Sequence, residues 1–528
     1  MEAESKQGSD VLILGGGLAG LCLAIQLRRE LPALSVRVFE RRTHPAPHAA
    51  FKVGESTVEI GAHYFDTVLD LKTHLERDQL RKFGFRFFFN DGRDDIARTT
   101  ELGVSRIFPT PSYQLDRGIF ENYLAEHASA LGATFEEGAT VRTIDIDANG
   151  HTVRFTRAGA EHVVHARWLV DASGRAGLIK RKLGLAEENA HDVNAIWFRI
   201  GERIAFDEWS NDEVWSSRVD PRERWRSTNH LCGPGYWAWL IPLSSGSHSV
   251  GLVADAAMHP LESINTFEKS MAWFAKHQPQ LYRELDARRE KLQDFAFFRH
   301  FSYGCKQVFS GERWALTGEA GLFLDPFYSP GSDFIAIANT YIVDLIGRDF
   351  RGERFSREAR LYENLYFSFY RNTLALYQDQ YPMFGHAELM PLKVTWDYAY
   401  YWGILCQFFF QNRLTDLSLF ARLAEPLAMC ERLNVDVQRM LREAAGDGVG
   451  HGTVNWLDQQ KLPWFAELNR GLRDTLTVDQ LEQRVRDHAA MLQSLAGEIA
   501  ERVCELGYGE TALMQLRRAD VALLREAA

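Results

Sequence analysis

The sequence predicts an α/β fold: a mostly parallel sheet packed on helices, interrupted by a β-rich layer and followed by a helical C-terminal region. Three observations carry this. A glycine turn joins a short apolar run to a helical pattern near the start. A tryptophan-rich stretch of strand-like alternation separates that pattern from its resumption at Trp314. From about Tyr341 onward the apolar residues recur at helical spacing.

The glycine turn reads Asp10-Val-Leu-Ile-Leu-Gly-Gly-Gly-Leu-Ala-Gly20. Val11 to Leu14 fit a buried parallel strand, and Leu21 to Leu31 fit a helix. Gly15 and Gly17 let the backbone approach a pyrophosphate, and Gly20 lets helix and strand pack closely. With Leu18 and Ala19 between them, they open a helix whose free N–H groups favour phosphate. A second strand, Ser35 to Phe39, ends in Glu40, placed to bind ribose hydroxyls, with Arg41 next. The alternative is a Gly-rich turn with no ligand. The strand before and the helix after favour dinucleotide binding.

With 528 residues the chain is too long for one simple domain. A net charge of -11 without any Lys/Arg-rich run argues against a nucleic-acid partner, because phosphate binding needs a basic surface. The six cysteines, Cys22, Cys232, Cys305, Cys406, Cys430 and Cys504, are scattered with no CxxC. They fit free thiols in a reduced, cytoplasmic setting. The first apolar stretch is the nucleotide turn, with acidic residues rather than a basic region before it, so no signal peptide is expected. The most apolar segment, 398–410, is too short to span a bilayer and carries Gln407. His44, His48, His63 and His74 lack metal-ligand spacing, and no metal site is expected. No Gly-x-Ser-x-Gly elbow suggests a nucleophile triad.

After Glu40 a Pro- and His-containing loop leads to Phe51-Lys52-Val53-Gly54-Glu55-Ser56-Thr57, and a helix is expected over 58–75. Residues 82–89 read as a strand and 118–131 as an amphipathic helix. Short strands follow near 140–146, 151–156 and 162–165. Trp168-Leu-Val-Asp171-Ala-Ser-Gly174 is a further strand ending in a small-residue turn, and Trp314-Ala-Leu-Thr-Gly318-Glu319-Ala-Gly321 is the late return. Thr477 with Gln480 forms a capping box before a helix with Leu481, Val485, Leu492, Leu495, Ile499, Val503 and Leu506 on one stripe. That stripe is most simply a packing face; a partner helix is the alternative.

The order of these pieces (glycine turn, mid-chain small-residue turn, late Gly-acid-Ala-Gly) resembles the FAD-binding group of aromatic hydroxylases and flavin-dependent halogenases. The resemblance covers about residues 8–345. It implies an FAD-binding Rossmann-like domain held by Gly15, Gly17, Leu18, Ala19, Gly20, Glu40, Arg41, Asp171, Gly318 and Glu319. Arg117, just before a helix, takes the hydroxylase-like position on the flavin side. Where the family carries Gly-Asp, this chain has Gly318-Glu319.

Three further motifs resemble the halogenases in particular. Trp237-Ala-Trp239-Leu-Ile-Pro242 matches W-x-W-x-I-P, which implies two rings on one strand face walling a tunnel. A Trp-rich core strand is the plainer alternative. Phe323-Leu-Asp-Pro326-Phe-Tyr328-Ser329-Pro330-Gly331 matches F-x-x-P-x-x-S-x-G, followed by Ser332 and a helix. A turn serving only the flavin is its alternative. Gly54-Glu55-Ser56-Thr57 resembles the strap between flavin and substrate sites, and Lys82-Phe83-Gly84 matches the catalytic-lysine position. A solvated lysine is the alternative there. Glu59 stands where proline often follows in the family.

What the resemblance implies is a two-component halogenase. Lys82 and Ser329 are its catalytic residues. Pro326 and Gly331 join Gly54, Glu55 and Ser56 at the flavin. Thr57, Trp237, Trp239, Pro242, Pro330, Gly331 and Ser332 border the halide or tunnel. FADH2 from a separate flavin reductase, O2 and chloride or bromide are its co-reactants. In tryptophan halogenases a glutamate precedes the serine of the second motif; Tyr328 stands there, so the chain resembles the branch acting on phenols, pyrroles or carrier-bound substrates. A single-component FAD-dependent aromatic hydroxylase and a non-halogenating flavoprotein remain as alternatives. The expected domains are 1–190 with 300–345 for FAD, 191–299 as a β-rich substrate layer, and 346–528 as a helical region. Aromatic residues dense in 362–370, 377–384 and 396–410 fit a substrate chamber, a carrier-protein patch or ordinary core.

Overall fold

A computed structural model describes residues 8–47, 53–89, 95–446 and 456–508. His48, Phe51 and Lys52 lie outside these.

Strand Gly8–Leu14 runs into helix Leu18–Glu30, as the glycine turn predicts. The strand is central in a seven-stranded sheet. Val36–Phe39 pairs with it in parallel on one side and the second half of Ala160–Asp171 on the other. Trp314–Leu316 then adds to Ala160–Asp171, also in parallel. Thr134–Glu136 extends the parallel edge beyond Val36–Phe39. Val11, Leu12 and Ile13 are completely buried because helices and sheet cover both faces. The segments read separately as 162–165 and 168–171 are one long strand. Its first half pairs antiparallel with His151–Arg157.

A second sheet has eight strands in the order Leu292–Phe298, Val193–Ile200, His248–Asp255, Tyr236–Pro242, Thr228–Gly233, Phe85–Phe89, Thr100–Gly103 and Trp456–Asp458. It therefore draws on segments beyond the expected limits of 191–299. Phe85–Phe89 pairs in parallel with Thr228–Gly233, so a segment assigned to the FAD domain from sequence belongs to the substrate-layer sheet. The helix expected over 58–75 is broken: Glu59–His63 is α-helical, Tyr64–Val68 is a π-helical turn, and Asp70 has a φ of 60° before helix Lys72–Asp78 begins.

The inner strands of the second sheet are buried on both faces, and alternation decides what each covers. Phe85, Phe87, Phe89, Trp237, Trp239 and Ile241 join the large core shared with the nucleotide layer. Phe88, Tyr236, Ala238 and Leu240 point the other way, onto helices Phe267–His277 and Pro279–Asp286. The C-terminal region is mostly helical, and it also returns strand Trp456–Asp458 to the sheet edge. Helix Val478–Glu505 opens with the Thr477–Gln480 capping box. Leu481, Val485, Leu492, Ile499 and Val503 are buried within the protein, so this stripe is a packing face.

Candidate active site

The nucleotide cradle forms at the carboxyl ends of adjacent parallel strands. Gly15 has a φ of 119°, and a Cβ there would stand 2.3 Å from the Ala172 carbonyl oxygen. A Cβ on Gly20 would stand 2.0 Å from the Gly15 carbonyl oxygen. These two glycines let helix and turn close on each other. Gly17 differs: a Cβ there would meet nothing within 4 Å. It also caps helix Leu18–Glu30 without any side-chain hydrogen bond, so the helix start presents N–H groups to open space. This arrangement fits a pyrophosphate.

Glu40 accepts hydrogen bonds from the Gly16 N–H (2.9 Å) and the Arg42 N–H (2.8 Å), which leaves carboxylate lone pairs for ribose hydroxyls. Arg41 is exposed beside it. Gly318, with a φ of 58°, packs against Ala19, and Asn339 donates to the Ala19 carbonyl at 3.2 Å. Glu319 is held above the usual carboxylate range by burial, opposed by Arg175 and Arg117.

Some predicted contacts are already spent. Asp171 is completely buried, and its carboxylate accepts from the Ser173 N–H and hydroxyl and from the Ile179 N–H. Its side chain shapes the turn rather than facing a ligand. Glu55 pairs with Arg199 at 2.8 Å, which ties the strap to the second sheet. Arg117 donates to the Val53 and Gly54 carbonyls and to Glu121, so it clamps the same strap. The Thr57 hydroxyl donates to the Tyr113 carbonyl and accepts from the Tyr113 N–H, which commits it to the backbone.

Lys82 is 2% exposed. Its Nζ donates to the Ser56 hydroxyl (2.9 Å) and the Thr57 carbonyl (3.0 Å), and lies 3.3 Å above the centre of the Phe85 ring. Ser56 also bonds the Thr228 hydroxyl at 3.0 Å. Burial holds the lysine well below its ordinary pKa, opposed by the negative charges of Glu59 and Asp333. Ammonium is therefore disfavoured, and a neutral amine is accessible. His230, beside Phe85 and Phe87, is pushed down to about 3 by burial and by Lys82, so it is neutral.

Trp237 and Trp239 lie on one face with ring centres 5.6 Å apart. Trp237 donates to the Tyr381 hydroxyl at 2.9 Å, and that hydroxyl and His191 both bond Asp325 in the second motif. Pro242 ends their strand and is buried. Phe327 packs on Trp237 at 5.2 Å. Pro326 starts the turn, accepting from the Ser329 N–H, and Ser329 adopts a φ of 51°. Helix Gly331–Phe350 starts at once, with Pro330 as its cap and no side-chain cap bond. The Ser332 hydroxyl, in its first turn, is buried with no hydrogen-bond partner among the described residues. Nothing lies within 4 Å of a Cβ on Gly331.

Four residues that the sequence reading passed over, or left without a role, complete the site. Asp333 bonds the Gly61 N–H (2.8 Å) and the Tyr401 hydroxyl (2.6 Å), and burial pushes it up to about 8. Glu59 is 5% exposed and its Oε2 has no partner among the described residues. Asp397 and Lys393 form an ion pair of 2.7 Å beside Tyr328. Their i, i+4 spacing is visible in the sequence; their burial is not. Tyr401–Leu405 is a second π-helical turn bordering the site, as Tyr64–Val68 is the first. No group of His, Cys, Asp and Glu suited to a metal ion occurs among the described residues, and no described helix is long and apolar enough to cross a membrane.

A family model described as an FAD binding domain matches residues 8–230. The flavin-dependent halogenase chlA of Dictyostelium discoideum is 27% identical over 432 residues, 75% of this chain and 70% of its own length. The 1H-pyrrole-2-carbonyl-(peptidyl-carrier protein) chlorinase of Pseudomonas fluorescens is 27% identical over 343 residues, 61% of this chain and 72% of its own. Among solved structures, halogenase PltM in complex with phloroglucinol and FAD shares the fold at a TM-score of 0.66 and 17% identity, covering 94% of this chain and 96% of its own. The cradle and the matched domain define an FAD-binding flavoprotein. Its curated relatives include flavin-dependent halogenases, to which the chain is similar over 61–75% of its length.

Proposed function

We propose that this chain is a two-component halogenase that uses FADH2, O2 and chloride or bromide to make hypohalous acid and passes the halogen through Lys82 to an electron-rich aromatic ring. One observation carries the reading: a lysine 2% exposed, on an aromatic wall, whose ammonium form burial disfavours. A neutral amine can hydrogen-bond hypohalous acid or take its halogen.

Gly15–Gly20, Glu40, Gly318 and Glu319 would hold FAD, with the strap fixed by Arg117 and Arg199. Bound and reduced, FAD with O2 supplies the oxidising equivalent that turns halide into hypohalous acid. The unpartnered Ser332 hydroxyl and the first turn of helix Gly331–Phe350 are the halide contacts the geometry favours over the Thr57 side chain. Ser329 holds the turn that presents them. Trp237 and Trp239 wall the path and exclude water. A separate flavin reductase supplies FADH2. The relatives that act on carrier-bound pyrrole make a carrier-bound substrate one form to test.

The decisive assay mixes purified protein, FAD, a flavin reductase, NADH and bromide with phenols, indoles and pyrroles, free and carrier-bound. Mass spectrometry should show the bromine isotope doublet. Oxygen incorporation without bromine would replace this reading by an aromatic hydroxylase, and an absence of product across the panel would count for a flavoprotein that does not halogenate.

The tunnel carries its own expectation. Trp237→Leu should retain FAD and raise the free hypobromous acid captured by a scavenger, with brominated product falling correspondingly. Unchanged scavenger capture would remove Trp237 from the tunnel wall.

A further inference from the structure

We infer that the segment from Tyr381 to Gly385 is a clasp joining the tryptophan wall to the turn of the second motif, and that Tyr381 is a positioning residue whose hydroxyl holds the Trp237 indole in place and so limits the escape of hypohalous acid. This rests on the halogenase reading. Tyr381 itself belongs to neither motif and lies beyond residue 345, where the resemblance read from the sequence ends.

The clasp touches both motifs through backbone and rings. Strands Thr228–Gly233 and Tyr236–Pro242 pair as a hairpin, and its turn is Pro234-Gly235. The Tyr381 carbonyl accepts from the Gly235 N–H at 2.9 Å. A Cβ on Gly385 would stand 2.6 Å from Pro234 Cδ, so the clasp and the hairpin turn approach with no side chain between them. On its other side Phe384 packs on Phe327 of the second motif, with ring centres 4.7 Å apart. Phe327 in turn packs on Trp237 at 5.2 Å.

A chain of hydrogen bonds runs through the same contact. The Trp237 ring is surrounded by His230, Trp239 and Phe327, and in such a setting its buried N–H needs an acceptor. The Tyr381 hydroxyl is that acceptor, at 2.9 Å. An indole nitrogen only donates, so the hydroxyl keeps its one proton for Asp325 Oδ2. Asp325, completely buried, also bonds His191 Nε2 at 2.9 Å and accepts from the Phe327 N–H at 2.9 Å. The indole of the first motif is thus joined through a single oxygen to the carboxylate that shapes the second. Trp239 lacks this link: its N–H donates at 3.2 Å to Ser249, within its own sheet.

Tyr381→Phe is the variant to make. It removes only the hydroxyl and keeps the ring on Phe384 and the carbonyl for Gly235. FAD binding should be unchanged. In turnover with bromide, flavin reductase and the best aromatic substrate of the panel, the ratio of scavenged hypobromous acid to brominated product should rise by about 5-fold, the weight of one hydrogen bond. Trp237→Phe has no N–H to hold. Adding Tyr381→Phe to it should therefore leave the ratio where Trp237→Phe alone puts it, which general loosening of the fold would not do. Independently of turnover, the indole 15N–1H resonance of Trp237, assigned by its loss in Trp237→Phe, should move in Tyr381→Phe. The inference is overturned if that resonance stays, if the ratio stays, or if the two substitutions raise the ratio additively. Hypobromous acid from wild type with a ratio indifferent to Tyr381→Phe overturns the clasp alone. No bromide-dependent product from wild type sinks the halogenase reading, and with it the role of Tyr381, even where the resonance moves.

Discussion

Lys82→Met should abolish ring halogenation, by roughly 10³-fold or more, while FAD binding and hypohalous acid formation persist. The distinction follows from where the lysine sits. Its contacts are the Ser56 hydroxyl, the Thr57 carbonyl and the Phe85 ring, none of them part of the glycine cradle. Methionine fills the same slot without a charge to bury. Folding should therefore be unharmed, and product loss would report chemistry alone. The measurements are flavin absorbance for binding, a scavenger for free hypohalous acid, and mass spectrometry for product. Wild-type bromination in this variant would remove Lys82 from the mechanism.

Glu59 and Asp333 sharpen that expectation. Both are buried acids whose negative charges oppose the downward push of burial on Lys82. Burial raises Glu59 as well, opposed by Trp402 and Lys82. The charge on the amine and those on the two acids act on one another through this dry region, so each protonation state bears on the others. The two acids act on Lys82 electrostatically from different elements, Glu59 from helix Glu59–His63 and Asp333 from helix Gly331–Phe350.

Local features of this site were legible in the sequence. The glycine turn, the W-x-W strand and the capping box each depend on residues near one another in the chain, and each folds as its spacing implies. Contacts set by distant partners were not. Asp171, Glu55 and Thr57 sit in recognisable motifs, yet their polar atoms are taken by Ile179, Arg199 and Tyr113, whose proximity no local pattern encodes. The strand Phe85–Phe89 has five consecutive buried residues and reads as a strand, but alternation cannot say which sheet receives it. Its pairing with Thr228–Gly233 decides that, and moves the wall beside Lys82 into the second layer.

That placement leads to the largest stability effect expected in the molecule. Glu101→Gln should destabilise the fold by about 3–5 kcal/mol, the cost of breaking a completely buried ion pair from one side. Glu101 lies on the strand next to Phe85–Phe89, is 0% exposed, and faces Arg86, Arg218 and Arg224. Arg224 reaches its Oε1 at 2.9 Å and Arg218 its Oε2 at 3.2 Å. Burial alone would raise the Glu101 pKa, but Arg86 and Arg224 outweigh it and hold the carboxyl below its usual range. The amide variant leaves Arg86, completely buried, without its paired carboxylate, and Arg224, also completely buried, with only Asp207 at 3.9 Å. A depressed carboxylate stabilises the fold above its unfolded-state pKa and loses that contribution as pH falls through its folded one. Wild type should therefore lose stability more steeply than Glu101→Gln once the pH falls below the ordinary glutamate pKa of about 4.3, and the deficit of the variant should be at its full size at pH 7. Urea melts at pH 7 and at about pH 3 measure both. Equal stability of the two proteins at pH 7 would show that the arginines find other partners, and that the wall carrying Phe85 does not depend on this carboxylate.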